Sequence, residues 1–136
     1  MKAILGALVA VLIAAPAFAA DGSVARAQFT DAVVDREPSN QLRTLTNDQE
    51  QIYFYTDLRD MAGQRVVHRW EYNGTVFAEI PFDVGGPRWR VWSSKNFVPE
   101  WVGTWTVSVV DTAGEVLATR TLNYTGAMDK QPAANR

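Results

Sequence analysis

Arginine and tryptophan alternate in the stretch RWRVW that begins at Arg88. In a strand, alternation places Arg88, Arg90 and Trp92 on one face and Trp89 and Val91 on the other. A guanidinium beside an indole suits anionic sugars, because the indole stacks on the ring while the arginine binds a carboxylate or phosphate. We expect Trp89 and Val91 to be core residues and both arginines to face solvent, since burial of an unpaired guanidinium is costly.

Two other interpretations of this face stay open. Arg90 can stack on Trp92 or a neighbouring tyrosine with nothing bound, or the face can anchor a partner protein, since arginine and tryptophan are enriched at interface hot spots. The candidate residues for ligand or partner binding are Arg69, Arg88, Arg90, Trp92 and Lys95. The expected partners are a cell-envelope glycan, such as peptidoglycan or lipopolysaccharide, or an envelope protein. Nucleic acid is not expected, because the formal net charge is -2 and offers no broad cationic surface.

Catalytic chemistry has few residues to work with. His68 is the only histidine and cysteine is absent, which excludes zinc sites rich in these residues and a cysteine nucleophile. A serine triad would have to use His68, and the G-x-S-x-G elbow is missing. Within a strand, His68 is expected to be a hydrogen-bonded core or interface residue. We therefore expect a protein that is not an enzyme, with no catalytic residue, no metal and no cofactor.

Paired carboxylates are the remaining route to an enzyme, because a glycosidase needs only two. An envelope glycan hydrolase is thus the alternative function. The simpler interpretation pairs the acids with arginines on the outer faces of strands. The acids concerned are Glu71, Glu79, Asp83, Glu100 and Asp111.

Period-two hydrophobic patterning predicts an all-β fold, an antiparallel immunoglobulin-like sandwich of about seven strands. Asn73-Gly74 lies between two alternating runs and predicts a two-residue type I′ hairpin. The alternation directs Trp70 and Trp105 inward. Pro81 cannot donate to a ladder, which places its strand at a sheet edge or a bulge.

Near the start of the chain, Lys2 is followed by an apolar run and by Ala17-Phe18-Ala19, the pattern of a secretory signal peptide. We predict a signal peptide at 1–19, an N-terminal strand and polar connection at 20–50, the core sandwich at 51–125, and a disordered tail at 126–136, with 20–125 forming one domain. Cleavage would leave no stable membrane anchor and would place the protein in the periplasm or outside the cell.

Four segments together resemble the bacterial family known as domain of unknown function 2914. They are HRWEYNG, EIPFDVGGPRWRVWSSKN, PEWVGTWTVSVVD and GEVLATRTLNY, and the resemblance covers about residues 50 to 125. It implies an exported or envelope-associated module without an assigned activity, and it supplies no catalytic residues. The function expected from the sequence is therefore a non-catalytic binding or protein-interaction module of the cell envelope.

Overall fold

The computed structural model describes residues 22–127, and strands dominate this part of the chain. Seven of its ten strands have eight to ten residues, in agreement with the predicted number. The strands are β1 Ser23–Thr30, β2 Val33–Val34, β3 Glu37–Pro38, β4 Thr44–Thr46, β5 Gln51–Arg59, β6 Arg65–Tyr72, β7 Thr75–Asp83, β8 Arg88–Asn96, β9 Gly103–Val110 and β10 Val116–Thr125. No helix in this part of the chain is long and apolar enough to span a bilayer.

Two sheets share one core. The first has the order β1-β5-β8 and the second the order β4-β10-β9-β6-β7. The chain crosses between them after β4, after β5, after β7 and again after β8, as in immunoglobulin-like sandwiches. Trp70 on β6 lies where that fold has its buried tryptophan. All pairs are antiparallel except that of β4 with β10. The predicted all-β, immunoglobulin-like sandwich is confirmed.

Aromatic rings fill the core between the sheets. Trp70 and Trp105 are fully buried, as the alternation predicts. Phe29 lies edge-on to Trp70 with centroids 6.0 Å apart, and Phe97 stacks on Trp105 at 4.4 Å. Since no cysteine is present to form a disulfide, these large rings supply much of the apolar burial that stabilises so short a chain.

The Asn73-Gly74 turn joins β6 to β7 as predicted. Both residues have positive φ angles, 47° and 88°, which a type I′ turn requires. Pro81 lies on β7, the outermost strand of its sheet, in agreement with the expected edge position.

A hairpin that the sequence did not predict lies against the outer face of the first sheet. The sequence assigned Val33–Val34, which form β2, to the end of the N-terminal strand, and Glu37–Pro38, which form β3, to the polar connection. The two strands pair and are joined through Asp35 and Arg36, with φ angles of 52° and 63°. The Tyr55 hydroxyl on β5 donates a 2.7 Å hydrogen bond to the Arg36 carbonyl and ties the turn to the sheet. Burial raises the pKa of Tyr55, which keeps this hydroxyl protonated as a donor.

Trp89 is not a core residue, and the prediction that placed it inside is wrong. Its side chain turns away from the arginines, but it lies at the beginning of the outermost strand and is 37% exposed. The indole packs on the Gly85-Gly86 backbone, where a Cβ at Gly85 would come within 2.8 Å of the ring. The predicted signal peptide, and the predicted tail beyond Ala127, lie outside the described residues.

Candidate functional site

A buried carboxylate organises the outer face of the first sheet. Asp57 on β5 has no exposed side-chain surface and is within 3.5 Å of three guanidinium groups. Arg59 holds it through two hydrogen bonds of 2.9 and 3.1 Å, Arg26 through one of 3.2 Å, and Arg88 approaches to 3.5 Å. Burial alone would raise the pKa of Asp57, but the hydrogen bonds from Arg59 and Arg26 outweigh it and hold that pKa below its usual value.

Glu37 on the hairpin forms the second acidic centre. Arg26 binds it with both guanidinium nitrogens, at 2.9 and 3.1 Å, and Arg90 donates a 2.7 Å bond. These contacts lower the pKa of Glu37 to about 2, with the hydrogen bond from Arg26 as the largest cause. Arg90 is therefore only 20% exposed, not free in solvent as the sequence predicted, whereas Arg88 is 49% exposed in agreement with it.

The arginines around Asp57 and Glu37 form a cluster that carries more positive than negative charge. Four arginines contact Glu37 or Asp57, and Arg36 is a fifth cation on the hairpin. Two neighbouring carboxylates, Asp35 and Asp60, only partly reduce the excess. The Arg36 side chain lies on the surface, and within residues 22–127 it makes no ion pair or hydrogen bond. The five are Arg26, Arg36, Arg59, Arg88 and Arg90.

A groove of about 310 Å³ runs along β8 beside this excess charge. Its lining residues are Arg36, Arg88, Trp89, Arg90, Val91 and Trp92. Arg88, Arg90 and the Trp92 indole share the outer face, where they approach Asp57, Glu37 and Tyr55. Trp92 stacks on Tyr55 at 6.2 Å with 15° between the rings, and the Arg26 guanidinium lies 5.2 Å from the Tyr55 ring centroid. We call this surface the Arg–Trp groove. Its chemistry suits an anionic ligand that has flat apolar or extended parts.

Only part of the predicted binding set comes together in the groove. Arg88, Arg90 and Trp92 share one face as predicted. Lys95 lies elsewhere, with its ammonium 4.6 Å from the Phe77 ring centroid. Arg69 is on the other sheet and pairs with Glu79 at 3.2 Å.

Sequence reasoning missed several members of the site. Arg36 and Glu37 belong to the unpredicted hairpin, and Arg26 comes from β1. For Tyr55 and Asp57 a signal existed, because alternation along β5 places both on the face opposite the core residues.

His68 is a core residue, as predicted. Its Nε2 lies 3.0 Å from Thr56 Oγ1, which donates to the Val91 carbonyl, and its Nδ1 lies 2.7 Å from Ser93 Oγ. Trp70 Nε1 donates to that same serine oxygen at 3.0 Å. If the imidazole is neutral with its proton on Nε2, every donor and acceptor in this series of hydrogen bonds has a partner. The serine and histidine are buried within the sandwich and form a structural network.

Burial lowers the pKa of His68 from 6.5 to about 3. The unfolded chain takes up a proton near pH 6.5 and the folded protein does not, so stability is complete above that pH and falls as the pH drops towards 3. The expected slope is at most about 1.4 kcal/mol per pH unit. Because this is the only histidine, NMR of its imidazole gives a direct check. A native-state titration near pH 6.5 would contradict the burial argument.

Three of the five carboxylates considered for a hydrolase have other partners. Glu79 and Asp83 pair with arginines on β6, and Asp111 Oδ1 accepts the backbone N–H groups of Ala113 and Glu115 in a turn. Among residues 22–127, no group of three or more acidic, histidine or cysteine side chains is arranged to hold a metal ion.

The fold and the groove define a class: an immunoglobulin-like β-sandwich with a cationic, tryptophan-lined groove on one outer face. Within that class, the model of the family described as "Protein of unknown function (DUF2914)" matches residues 63–123 of this chain. The match covers β6 to most of β10 and confirms the resemblance carried by the four sequence segments. The fold and the family are consistent with a non-catalytic module.

No curated protein matches the chain. Two solved structures of the CARDB domain of PF1109 from Pyrococcus furiosus are similar to it. The solution NMR structure has 13% identity and a TM-score of 0.44, and covers 77% of this chain and 94% of that one. The crystal structure, a complex with di-metal ions, has 14% identity and a TM-score of 0.46, and covers 77% and 88%. The sheet order of this chain, and not these likenesses, defines its fold.

Proposed function

We propose that this protein is a non-catalytic binding module that receives an anionic ligand in the Arg–Trp groove. The observation that carries the proposal is the charge excess, in which Arg36 and the exposed half of Arg88 border the Trp92 indole while Glu37 and Asp57 are already held by other arginines. Arginine binds carboxylate or phosphate with paired donors, and the indole supplies flat apolar contact.

The ligand classes that suit this surface are an anionic glycan and an acidic segment of a partner protein. Export to the periplasm or beyond, which the sequence predicts from residues 1–19, would bring the domain to peptidoglycan, lipopolysaccharide and envelope proteins. We propose this location together with the binding role.

An Arg36→Gln substitution tests the groove with little risk to the fold, since this side chain makes no ion pair within residues 22–127. Loss of one guanidinium should weaken binding of an anionic ligand about fivefold, the effect of roughly 1 kcal/mol at an exposed site. Titrations with peptidoglycan fragments, lipopolysaccharide and an acidic peptide measure it. Arg90 is less suitable because it also holds Glu37.

Arg65→Gln is the matched control, because it removes the same charge from an exposed pair on the other sheet. It should leave binding unchanged. The proposal fails if the parent protein binds none of the three ligands, or if both variants weaken binding equally.

A glycan hydrolase remains the alternative function, but no observation favours it over binding. Three of its five acids, Glu79, Asp83 and Asp111, are paired or hold a turn, and the fully buried carboxylate, Asp57, is surrounded by arginines that keep it ionised. A general acid needs the opposite environment, one that raises its pKa.

A further inference from the structure

Strand β8 is one of the two edge strands of the first sheet, and it pairs only with β5. The pairing is continuous over nine residues, from Arg88 opposite Arg59 to Asn96 opposite Gln51, without a bulge. The strand is therefore regular over about 30 Å, and such an edge is a template for another strand.

The hydrogen bonds beyond each end of the ladder fix which backbone groups point outward. Asp60 N–H donates to the Pro87 carbonyl at 2.7 Å, and Phe97 N–H donates to the Glu50 carbonyl at 2.6 Å. In an antiparallel pair, hydrogen-bonded positions alternate, so the odd-numbered residues of β8 bind β5. The even-numbered residues direct their N–H and C=O groups to the open edge, and these are Arg88, Arg90, Trp92, Ser94 and Asn96.

None of these outward backbone groups has a protein partner within residues 22–127. The groove that follows the same strand is lined by the side chains of Arg88, Arg90 and Trp92. One edge thus offers main-chain donors and acceptors beside guanidinium and indole groups.

We propose that β8 takes an extended acidic polypeptide segment as an added strand. Main-chain hydrogen bonds to the even-numbered residues supply affinity in this recognition mode, and side-chain contacts supply specificity. Carboxylates of the segment would meet Arg36, Arg88 and Arg90. The inference rests on the proposed function, because it names the partner of the same groove.

Charge favours an acidic segment over a second copy of this chain. The sequence of β8, RWRVWSSKN, has three cations and no carboxylate, so pairing of two β8 strands would add positive charge to an edge that already carries an excess. Of the two edge strands of the other sheet, β4 has only three residues and β7 contains Pro81, which interrupts its donors.

Ser94→Pro tests the added strand directly. Ser94 is exposed, and its N–H points to the open edge, so proline removes one edge donor and leaves the ladder to β5 intact. Ser94→Ala is the matched control, since it changes the side chain and retains the N–H. Circular dichroism and the thermal midpoint of both variants verify that the sheet is preserved.

The probes are a peptide of about eight residues with alternating glutamate and threonine, and polyacrylate of similar charge, which has no backbone amides. We expect Ser94→Pro to bind the peptide about fivefold more weakly than Ser94→Ala, the effect of one hydrogen bond, and to bind polyacrylate equally. In the parent protein, the peptide should protect the even-numbered amides of β8 from hydrogen exchange.

The outcomes separate the two proposals. Binding of both probes with no difference between the Ser94 variants, or binding of polyacrylate alone, would overturn the added strand and leave an anion-binding groove. Binding of neither probe would overturn both. A parent protein that forms dimers lost in Ser94→Pro, with no peptide binding, would show that a second copy is the occupant and would refute the acidic partner.

Discussion

Replacement of Trp105 by alanine is expected to lower the free energy of unfolding by about 3 to 5 kcal/mol. The indole is fully buried on β9 and packs against four aromatic rings, with centroid distances of 4.4 to 5.9 Å. These rings belong to Tyr72, Phe77, Phe97 and Trp101. Its Nε1 also donates to the Trp101 carbonyl at 3.0 Å. The loss combines the missing transfer energy with a cavity that surrounding rings cannot fill.

Urea denaturation measures this loss, and Trp89→Ala is the control. Trp89 is the same residue type but is 37% exposed and rests on two glycines, so its removal leaves no enclosed cavity. We expect it to cost about 1 kcal/mol. Equal losses in the two variants would mean that Trp105 does not occupy the closed core described above.

Asp57→Asn is expected to lower the free energy of unfolding by about 2 to 4 kcal/mol. Removal of one member of a buried ion pair costs about 3 to 5 kcal/mol, and solvent screens part of it here because the partner arginines are 35 to 49% exposed. The amide also cannot accept from Arg59, Arg26 and Arg88 with both of its terminal atoms. Asp83→Asn, at an exposed pair with Arg65, should change stability by under about 1 kcal/mol.

The pH dependence of stability separates this carboxylate from His68. The folded-state pKa of Asp57 is lowered, so its contribution is present above the ordinary aspartate pKa and is lost as the pH falls below about 4. In the parent protein, the free energy of unfolding should fall more steeply with decreasing pH in this range. Asp57→Asn should show a shallower fall. An unchanged decline in the variant would contradict the role assigned to this carboxyl.

The features that depend on local alternation, namely several core residues and one hairpin, were predicted correctly from the sequence. Period two placed His68, Trp70 and Trp105 inside, and the Asn73-Gly74 turn identified the hairpin of β6 and β7, because these signals are complete within a few residues. The same rule placed Arg88, Arg90 and Trp92 on one face, which the structure confirms.

Alternation did not predict burial correctly where burial depends on which other elements cover a face of the sheet. It gave the correct side for Trp89, but an edge strand has no neighbour on one flank, and the ring packs on Gly85 instead of entering the core. The hairpin of β2 and β3 escaped notice because its turn, Asp35-Arg36, adopts positive φ angles without the expected glycine or asparagine.

The charge network could not be predicted because its pairs are distant in the chain. Glu37 contacts Arg90 across 53 residues, and Asp57 contacts Arg88 across 31. Strand order brings these groups together, and a single sequence does not reveal strand order when several pairings satisfy the same hydrophobic pattern. The predicted solvent-exposed position of Arg90 failed for this reason.

The partly exposed position of Trp89 on β8 provides an intrinsic fluorescence signal beside the groove. Trp70 and Trp105 are fully buried in an apolar interior, where indole emission is blue-shifted and resistant to aqueous quenchers, whereas Trp89 and Trp92 lie partly exposed on the strand that borders the groove. A guest in the groove should reduce quenching by acrylamide, whereas loss of the fold should increase it by exposing Trp70 and Trp105, without any attached dye.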